Sequence, residues 1–151
     1  MIIKIKNIME CKIAITKTDI EFCKGAILEF RPNLNRETVV EQVFQMISSG
    51  EFELAFIPNA DNTKAGAFIT YRFLNLLRTG PMIYIDDLFT FSECRNQGYA
   101  GTLLDYVAKR ATNEGIKSVH LDSGFTLHPA HRLYLNKGYY LACHHFAKGI
   151  N

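Results

Sequence analysis

Tyr84–Tyr106 reads YIDDLFTFSECRNQGYAGTLLDY. An apolar run carrying two adjacent carboxylates, Asp86 and Asp87, leads into Arg95-Asn96-Gln97-Gly98-Tyr99-Ala100. From there apolar residues fall at Ala100, Leu103, Leu104, Val107, Ala108 and Ala111, the spacing of one helical face. Glu114-Gly115 ends the run, glycine being suited to a left-handed cap. The unit is strand, glycine-containing turn, helix. Such a turn aims several unpaired backbone N–H groups at one spot, at the positive end of the helix dipole. An anion such as a pyrophosphate fits there. Without Gly-Lys-Ser/Thr it is no P-loop. Gly98 alone stands at a fingerprint-like position, so the dinucleotide pattern G-x-G-x-x-G is absent.

Around this unit lie 151 residues, the size of one domain, expected to span 1–151. Apolar residues make up 48%, enough for a core and contrary to disorder. The formal charge is +2 with no basic run, so no nucleic-acid footprint is indicated. The opening MIIKIKNIMECKIAI is broken by Lys4, Lys6 and Lys12 and lacks a small-residue cleavage site, so no signal peptide is expected. No stretch approaches the roughly 20 apolar residues of a membrane span. Cys11, Cys23, Cys94 and Cys143 are scattered without a C-x-x-C, as suits free thiols in a reducing cytosol. The expected location is cytoplasmic, with neither nucleic acid nor membrane as partner.

In chain order, Cys11 to Thr16 is a first strand. Thr18-Asp19-Ile20-Glu21 fits a capping box, opening a helix with Ile20, Cys23, Ile27 and Phe30 inward. Arg31-Pro32 stops it. A second helix follows Asn35, with Val39, Val40, Val43, Phe44 and Ile47 on one face, and ends at Ser49-Gly50. Phe52, Leu54 and Phe56 alternate as a strand. After the turn residues 58–62, Ala65 to Phe73 is the next strand, with Ala67, Ile69, Tyr71 and Phe73 on one face. Met82 to Phe91 is the fourth strand, and Ser118 to Asp122 a short fifth after the helix. Pro129 to Lys137 reads as a further helix, Pro129 standing in its first turn. Tyr139 to Ala147 is expected as a final strand. Meandering strands followed by a strand-helix-strand crossover predict a mixed α/β sheet with helices on both faces.

Arg95, Gly98 and Ala100 match [QR]-x-x-G-x-[GA] after a strand and at a helix start. Ala130-His131-Arg132-Leu133-Tyr134-Leu135-Asn136-Lys137-Gly138-Tyr139 matches A-x-x-[FL]-Y-x-x-x-G-[FY]. In these two motifs, their order and their separation, the sequence resembles the GCN5-related N-acetyltransferases, the GNAT superfamily. A bacterial branch of that superfamily is similar also at Arg31-Pro32, Tyr84-Ile85-Asp86-Asp87-Leu88, Leu121-Asp122-Ser123-Gly124 and His144-His145-Phe146. The likeness runs from about the first helix to the end. Leu127 departs from it, standing where that branch often places an arginine.

The resemblance implies a GNAT-like α/β (α+β) fold: a mixed, mostly antiparallel sheet, helices on both faces and a splay between strands four and five. It implies direct transfer of an acetyl group from acetyl-CoA to a primary amine of a small molecule. A protein or peptide amine is the second acceptor class, and a non-catalytic acyl-CoA-binding regulatory module the third reading. It also implies a homodimer, across which the aromatic final strand has an edge to pair.

For cofactor binding, Leu88, Phe89 and Thr90 would meet the thioester and pantetheine through backbone exposed at a bulge near Phe89 or Thr90, while their side chains serve the core. Arg95, Asn96, Gln97, Gly98, Tyr99, Ala100, Gly101 and Thr102 would hold the pyrophosphate, the plainer reading being an ordinary strand-to-helix turn. Tyr134 is the candidate acid and a cofactor contact; a phenol of pKa about 10 is protonated at neutral pH. Asp86 and Asp87 are the candidate bases. Neighbours on a strand point to opposite faces, so without a bulge only one faces the cleft. Tyr84, Asp86 and Leu88 would share one face, and Ile83, Ile85 and Asp87 the other. Resemblance to polyamine-type members makes Asp86 the first choice. Binding a cationic substrate, or pairing with a nearby arginine, are its other roles. Asp122, Ser123 and His131 are weaker substrate contacts. His128-x-x-His131 and His144-His145 lack a clustered carboxylate or thiolate, so no metal is expected.

Overall fold

The computed structural model describes residues 9–150. The signal-peptide expectation rests mostly on residues 1–8, which lie outside them. The elements are β1 (Lys12–Ile13), α1 (Lys17–Phe30), α2 (Val39–Ser48), β2 (Glu53–Pro58), β3 (Ala65–Leu76), β4 (Gly80–Thr90), a 3-10 turn (Ser92–Cys94), α3 (Tyr99–Asn113), β5 (Val119–Leu121) and α4 (His128–Asn136). They form one five-stranded sheet in the order β1-β2-β3-β4-β5. Every pair is antiparallel except β4 with β5, which is parallel across the α3 crossover. This is the mixed α/β sheet that the order of elements predicts.

Alternation along the strands feeds two cores. Leu54, Phe56 and Phe68 turn to α1 and α2, meeting Ile20, Cys23, Ile27, Val39 and Val43. Ala55, Ile57, Ile69, Tyr71, Ile83 and Ile85 turn to α3, meeting Leu103, Leu104 and Val107. Both faces of β2 and of β3 from Ala65 to Tyr71 are therefore largely dry, and each fully buried Leu or Ile contributes about 1.5–3 kcal/mol. Ala108, expected inward on α3, is exposed; Tyr99 and Gly101 are buried instead. Phe73 stays 41% exposed at the wet end of β3, its ring edge-on to Tyr71.

The α1 capping box sits two residues earlier than Thr18 would place it. Thr16 is the cap: its Oγ1 accepts from the Asp19 N–H at 3.2 Å, and Asp19 Oδ2 accepts from the Thr16 N–H at 2.8 Å. An aspartate at the third helical position serves where a glutamate was sought.

Two departures matter for the site. First, β4 carries a bulge. Thr70 is opposite Asp87 but Tyr71 is opposite Ile85, so Asp86 is the extra residue. The bulge lies three residues before Phe89 rather than beside it, and it reverses the expected faces. Leu88 joins Ile85 toward α3, while Asp87 and Phe89 turn toward α1 and α2. Second, Tyr139–Ala147 is not a strand. Among the described residues, everything after α4 is irregular, and Tyr140, Leu141 and Phe146 are exposed. The neighbouring edge, β5, has only three residues, too short a template for a nine-residue partner. The tail touches the domain where His145 Nδ1 meets Asp122 Oδ2 at 2.8 Å.

Candidate active site

β4 is flanked by β3 along its whole length, but by β5 only from Ile83 to Ile85. Among the described residues, the other side of β4 meets no strand from Asp86 to Thr90. Alternate backbone groups in that half point into open space. The splay expected between the fourth and fifth strands is thus present, and its start coincides with the bulge.

Just beyond the open half lies the glycine turn. Asn96 and Gly98 both adopt left-handed backbone, with φ of 58° and 90°. Asparagine and glycine are the residues that do so at little cost. Gly98 caps α3 without a side-chain hydrogen bond. Among the described residues, the backbone N–H groups of Asn96, Gln97, Gly98, Tyr99, Ala100 and Gly101 meet no acceptor. Thr102 is the first to turn back, onto the Gly98 carbonyl at 2.9 Å. Unpaired donors at a helix N-terminus are an arrangement that suits an anion. The Arg95 side chain returns to the Thr90 carbonyl at 3.2 Å, tying the turn to the end of β4.

The turn is seated by two close approaches. A Cβ on Gly66 would stand 2.9 Å from the Tyr99 ring and 3.0 Å from the Cys94 sulfur, so β3 needs glycine there. Gly101 lets Lys137 of the α4 end come near: a Cβ would lie 3.2 Å from its Cε, and Lys137 Nζ reaches Asp105 at 2.6 Å. Tyr134 on α4 is half-buried against the α3 core, its ring centroid 5.9 Å from that of Tyr139. Burial pushes the Tyr134 phenol above its ordinary pKa. The hydroxyls of Thr90 and Ser123, at the ends of β4 and β5, are buried without a partner.

Both carboxylates of β4 are engaged. Asp86 takes two hydrogen bonds from Arg72 Nε, at 3.0 and 3.2 Å, and a contact at 2.9 Å from its terminal nitrogen. Desolvation raises the Asp86 pKa, Arg72 pulls against it, and the Asp87 charge adds to the rise. Asp87 accepts from Arg31 Nε at 2.9 Å and from the guanidinium's terminal nitrogen, and its other oxygen accepts from the Thr70 hydroxyl at 2.7 Å. Because of the bulge, the two carboxylates do not oppose each other across the sheet. Arg31 was legible as a helix stop and as part of the Arg31-Pro32 likeness, but not as the partner of Asp87. A threonine within the buried part of β3 was the signal that could have singled out Thr70.

The weaker candidates form a separate group. Asp122 lies beside Tyr84, whose phenol is pushed up by burial and by that carboxylate. His131 Nε2 is 2.9 Å from the Gly124 carbonyl and holds the loop before α4. Leu127 is exposed at the start of that helix. Among the described residues, no cluster of three His, Cys, Asp or Glu side chains has metal-holding geometry.

An open half-strand beside an N–H cradle is the arrangement of the acyl-CoA-binding folds, and residues 22–139 match the acetyltransferase (GNAT) family profile. The chain belongs to that family. The GNAT assignment is matched by an uncharacterized N-acetyltransferase, YhdJ, of Bacillus subtilis (strain 168), 29% identical over 123 residues, covering 81% of this chain and 85% of the relative. Among solved structures, a transcriptional regulator from Bacillus halodurans C-125 superposes with a TM-score of 0.81 at 19% identity, covering 94% of this chain and 99% of the other. A ribosomal-protein-alanine N-acetyltransferase from Brucella melitensis biovar Abortus 2308 does so with a TM-score of 0.78 at 13% identity, covering 93% and 99%. At such identities the structures share the GNAT fold and say nothing of the acceptor.

Proposed function

We propose that this chain is an acetyl-CoA-dependent N-acetyltransferase acting directly on the primary amine of a small molecule in the cytosol. The observation that carries the reading is the open edge of β4 from Asp86 to Thr90, beside the free N–H groups of Asn96 to Gly101. The donors suit a pyrophosphate, and the unpaired strand edge suits amides lying alongside it. The unpartnered Thr90 and Ser123 hydroxyls suit a polar ligand between β4 and β5. When bound, acetyl-CoA supplies the acetyl group as a thioester.

The chain's own residues then divide the proton work. Asp86, its pKa raised, takes one proton from the incoming ammonium and passes it to solvent. The nitrogen forms its bond to the acetyl carbon and the carbon–sulfur bond breaks, the electron pair staying on sulfur. Tyr134, held protonated by burial, donates to that sulfur, and the second proton lost by nitrogen restores the phenol. A half-open cavity of about 220 Å³ reaching Asp87 is of a size that suits a small acceptor. A homodimer belongs to the same reading, with the exposed Tyr140, Leu141 and Phe146 as apolar surface for it. Nucleic acid, membrane and metal have no part in it. Among the described residues no helix is long and apolar enough to cross a membrane.

Thermal unfolding with and without acetyl-CoA tests the reading. At about 100 times the dissociation constant, linkage gives roughly 2.7 kcal/mol. In a domain of this size that raises Tm by about 5–10 °C. A folded sample that shows no rise overturns the proposal. A rise leads to an amine screen by mass spectrometry.

A further inference from the structure

The cavity of about 220 Å³ lies between α1, α2 and the sheet. Its walls are mainly apolar, from Ile27, Val43, Met46, Leu54 and Phe68, with Asn33 and Gln42 as neutral polar groups; among the described residues its charged groups are Arg31 and Asp87. Those two are bonded to each other, so the lining is electrically neutral. Thr70, 4% exposed, anchors one oxygen of Asp87 from beneath and fixes the carboxylate in place. Arg31 is half-exposed, stands at the end of α1 and lies over the Phe30 ring, 4.4 Å from its centroid. The fixed member of the pair is therefore the anion, and the movable member is the cation. The neighbouring pair, Asp86 with Arg72, is neutral as well.

A ligand carrying only an ammonium would take Asp87 and leave the guanidinium to water, gaining nothing from Arg31 in place of the pair it breaks. A ligand carrying only a carboxylate would strand Asp87 in the same way. One that carries both ends close together inserts into the pair and satisfies each. The apolar walls then take a short hydrocarbon side chain. The volume lies below the ~300–1,000 Å³ of pockets that hold drug-sized molecules. We infer that the acceptor is a free α-amino acid with an apolar side chain, its ammonium at Asp87 and its carboxylate at Arg31. The inference rests on the acetyltransferase reading above and names the substrate class of that site. The product is the N-acetyl amino acid: the α-nitrogen bonds the acetyl carbon, sulfur departs as the free thiol, and one proton goes to solvent.

Isothermal titration in saturating coenzyme A tests it, with L-leucine and L-methionine as ligands and 3-methylbutylamine and 4-methylpentanoate as the analogues of leucine lacking one charged end. At least one amino acid should bind, and each analogue at least ~10-fold more weakly, the loss of about one good charged hydrogen bond. Arg31→Gln should weaken the amino acid by ~10-fold or more and 3-methylbutylamine by under ~3-fold; Asp87→Asn should do the same against 4-methylpentanoate. The inference is overturned if the amine binds as tightly as the amino acid, if Arg31→Gln weakens both alike, or if neither amino acid binds. The melting shift with acetyl-CoA on the same samples reports separately whether each variant is folded and whether the acetyltransferase reading stands.

Discussion

The two halves of β4 are continuous in one strand and have opposite surroundings. From Gly80 to Ile85 the strand lies beside β3, and from Ile83 it lies beside β5 as well. From Asp86 to Thr90 it keeps β3 and loses β5. In the first half Met82, Ile83 and Ile85 are buried, and the backbone is committed to the sheet. In the second half no side chain is fully buried, and among the described residues one edge of backbone has no strand partner. The bulge at Asp86 marks the change. A strand is thus scaffold where both edges are paired, and in the proposed function it is the binding edge where one is free.

The largest effect expected is chemical. Tyr134→Phe should lower kcat about 100- to 10,000-fold while leaving acetyl-CoA affinity nearly unchanged, as loss of a general acid does. Steady-state kinetics with a binding titration checks it, and an unaltered kcat removes Tyr134 from the reaction. Asp86→Asn separates two roles in the open half. As a base, Asp86 must be ionised, and its pKa is raised chiefly by desolvation. The parent's activity should then fall as pH drops through a limb above the ordinary carboxylate value of about 3.9. The variant should lose that limb; a loss of rate equal at every pH assigns Asp86 to substrate binding.

Deleting Asp86 breaks the comparison directly. It is the extra residue, so its removal leaves Asp87 facing Thr70 and Leu88 facing α3, and the fold should survive. The straightened strand should no longer hold its end clear, so the ~5–10 °C shift with acetyl-CoA should shrink to within error. A full shift would show that the splay does not need the bulge.

The next change acts on the wall behind the turn. Gly66→Ala places a Cβ 2.9 Å from Tyr99, 3.0 Å from Cys94 and 3.2 Å from the Asn59 backbone. Overpacking of this kind costs about 1–3 kcal/mol. Denaturant unfolding measures it, and an unchanged midpoint would mean that the turn shifts freely. The smallest effect lies far from β4, as a control. Asp19→Ala should cost about 0.5–2 kcal/mol through the lost cap. Burial pushes the Asp19 carboxyl up, but the Thr16 and Ile15 hydrogen bonds outweigh it and leave its pKa below the usual value. A lowered carboxyl contributes its stability above the unfolded value near 3.9 and loses it as pH falls through the folded one. Parent and variant should therefore differ at pH 6 and converge in strong acid.

Most of the scaffold was readable because it depends on local rules. The spacing of Leu103, Leu104 and Val107 predicts α3, and Gly98 and Gly115 bound it by their backbone freedom. The free donors of the turn follow from any helix N-terminus that lacks a side-chain cap, so that part of the candidate site was legible too. Order of elements and two short motifs carried the family. What misled was also local. Thr18 and Glu21 look as good a capping box as Thr16 and Asp19, and only the hydrogen bonds distinguish them. The aromatic run from Tyr139 reads as a strand in isolation, but a strand requires a partner, and β5 is too short to be one.

The helices, the strand order and the glycine turn before α3 thus follow from the sequence alone, since each depends on residues close together in the chain. Tertiary structure decided where β4 parts from β5, which face Asp86 and Asp87 take, and that Arg31 and Thr70 meet Asp87 across separations of 56 and 17 residues. The physical reason is the period of two in a strand. One extra residue turns every side chain beyond it to the other face, and whether that residue is absorbed as a bulge depends on the neighbouring strand.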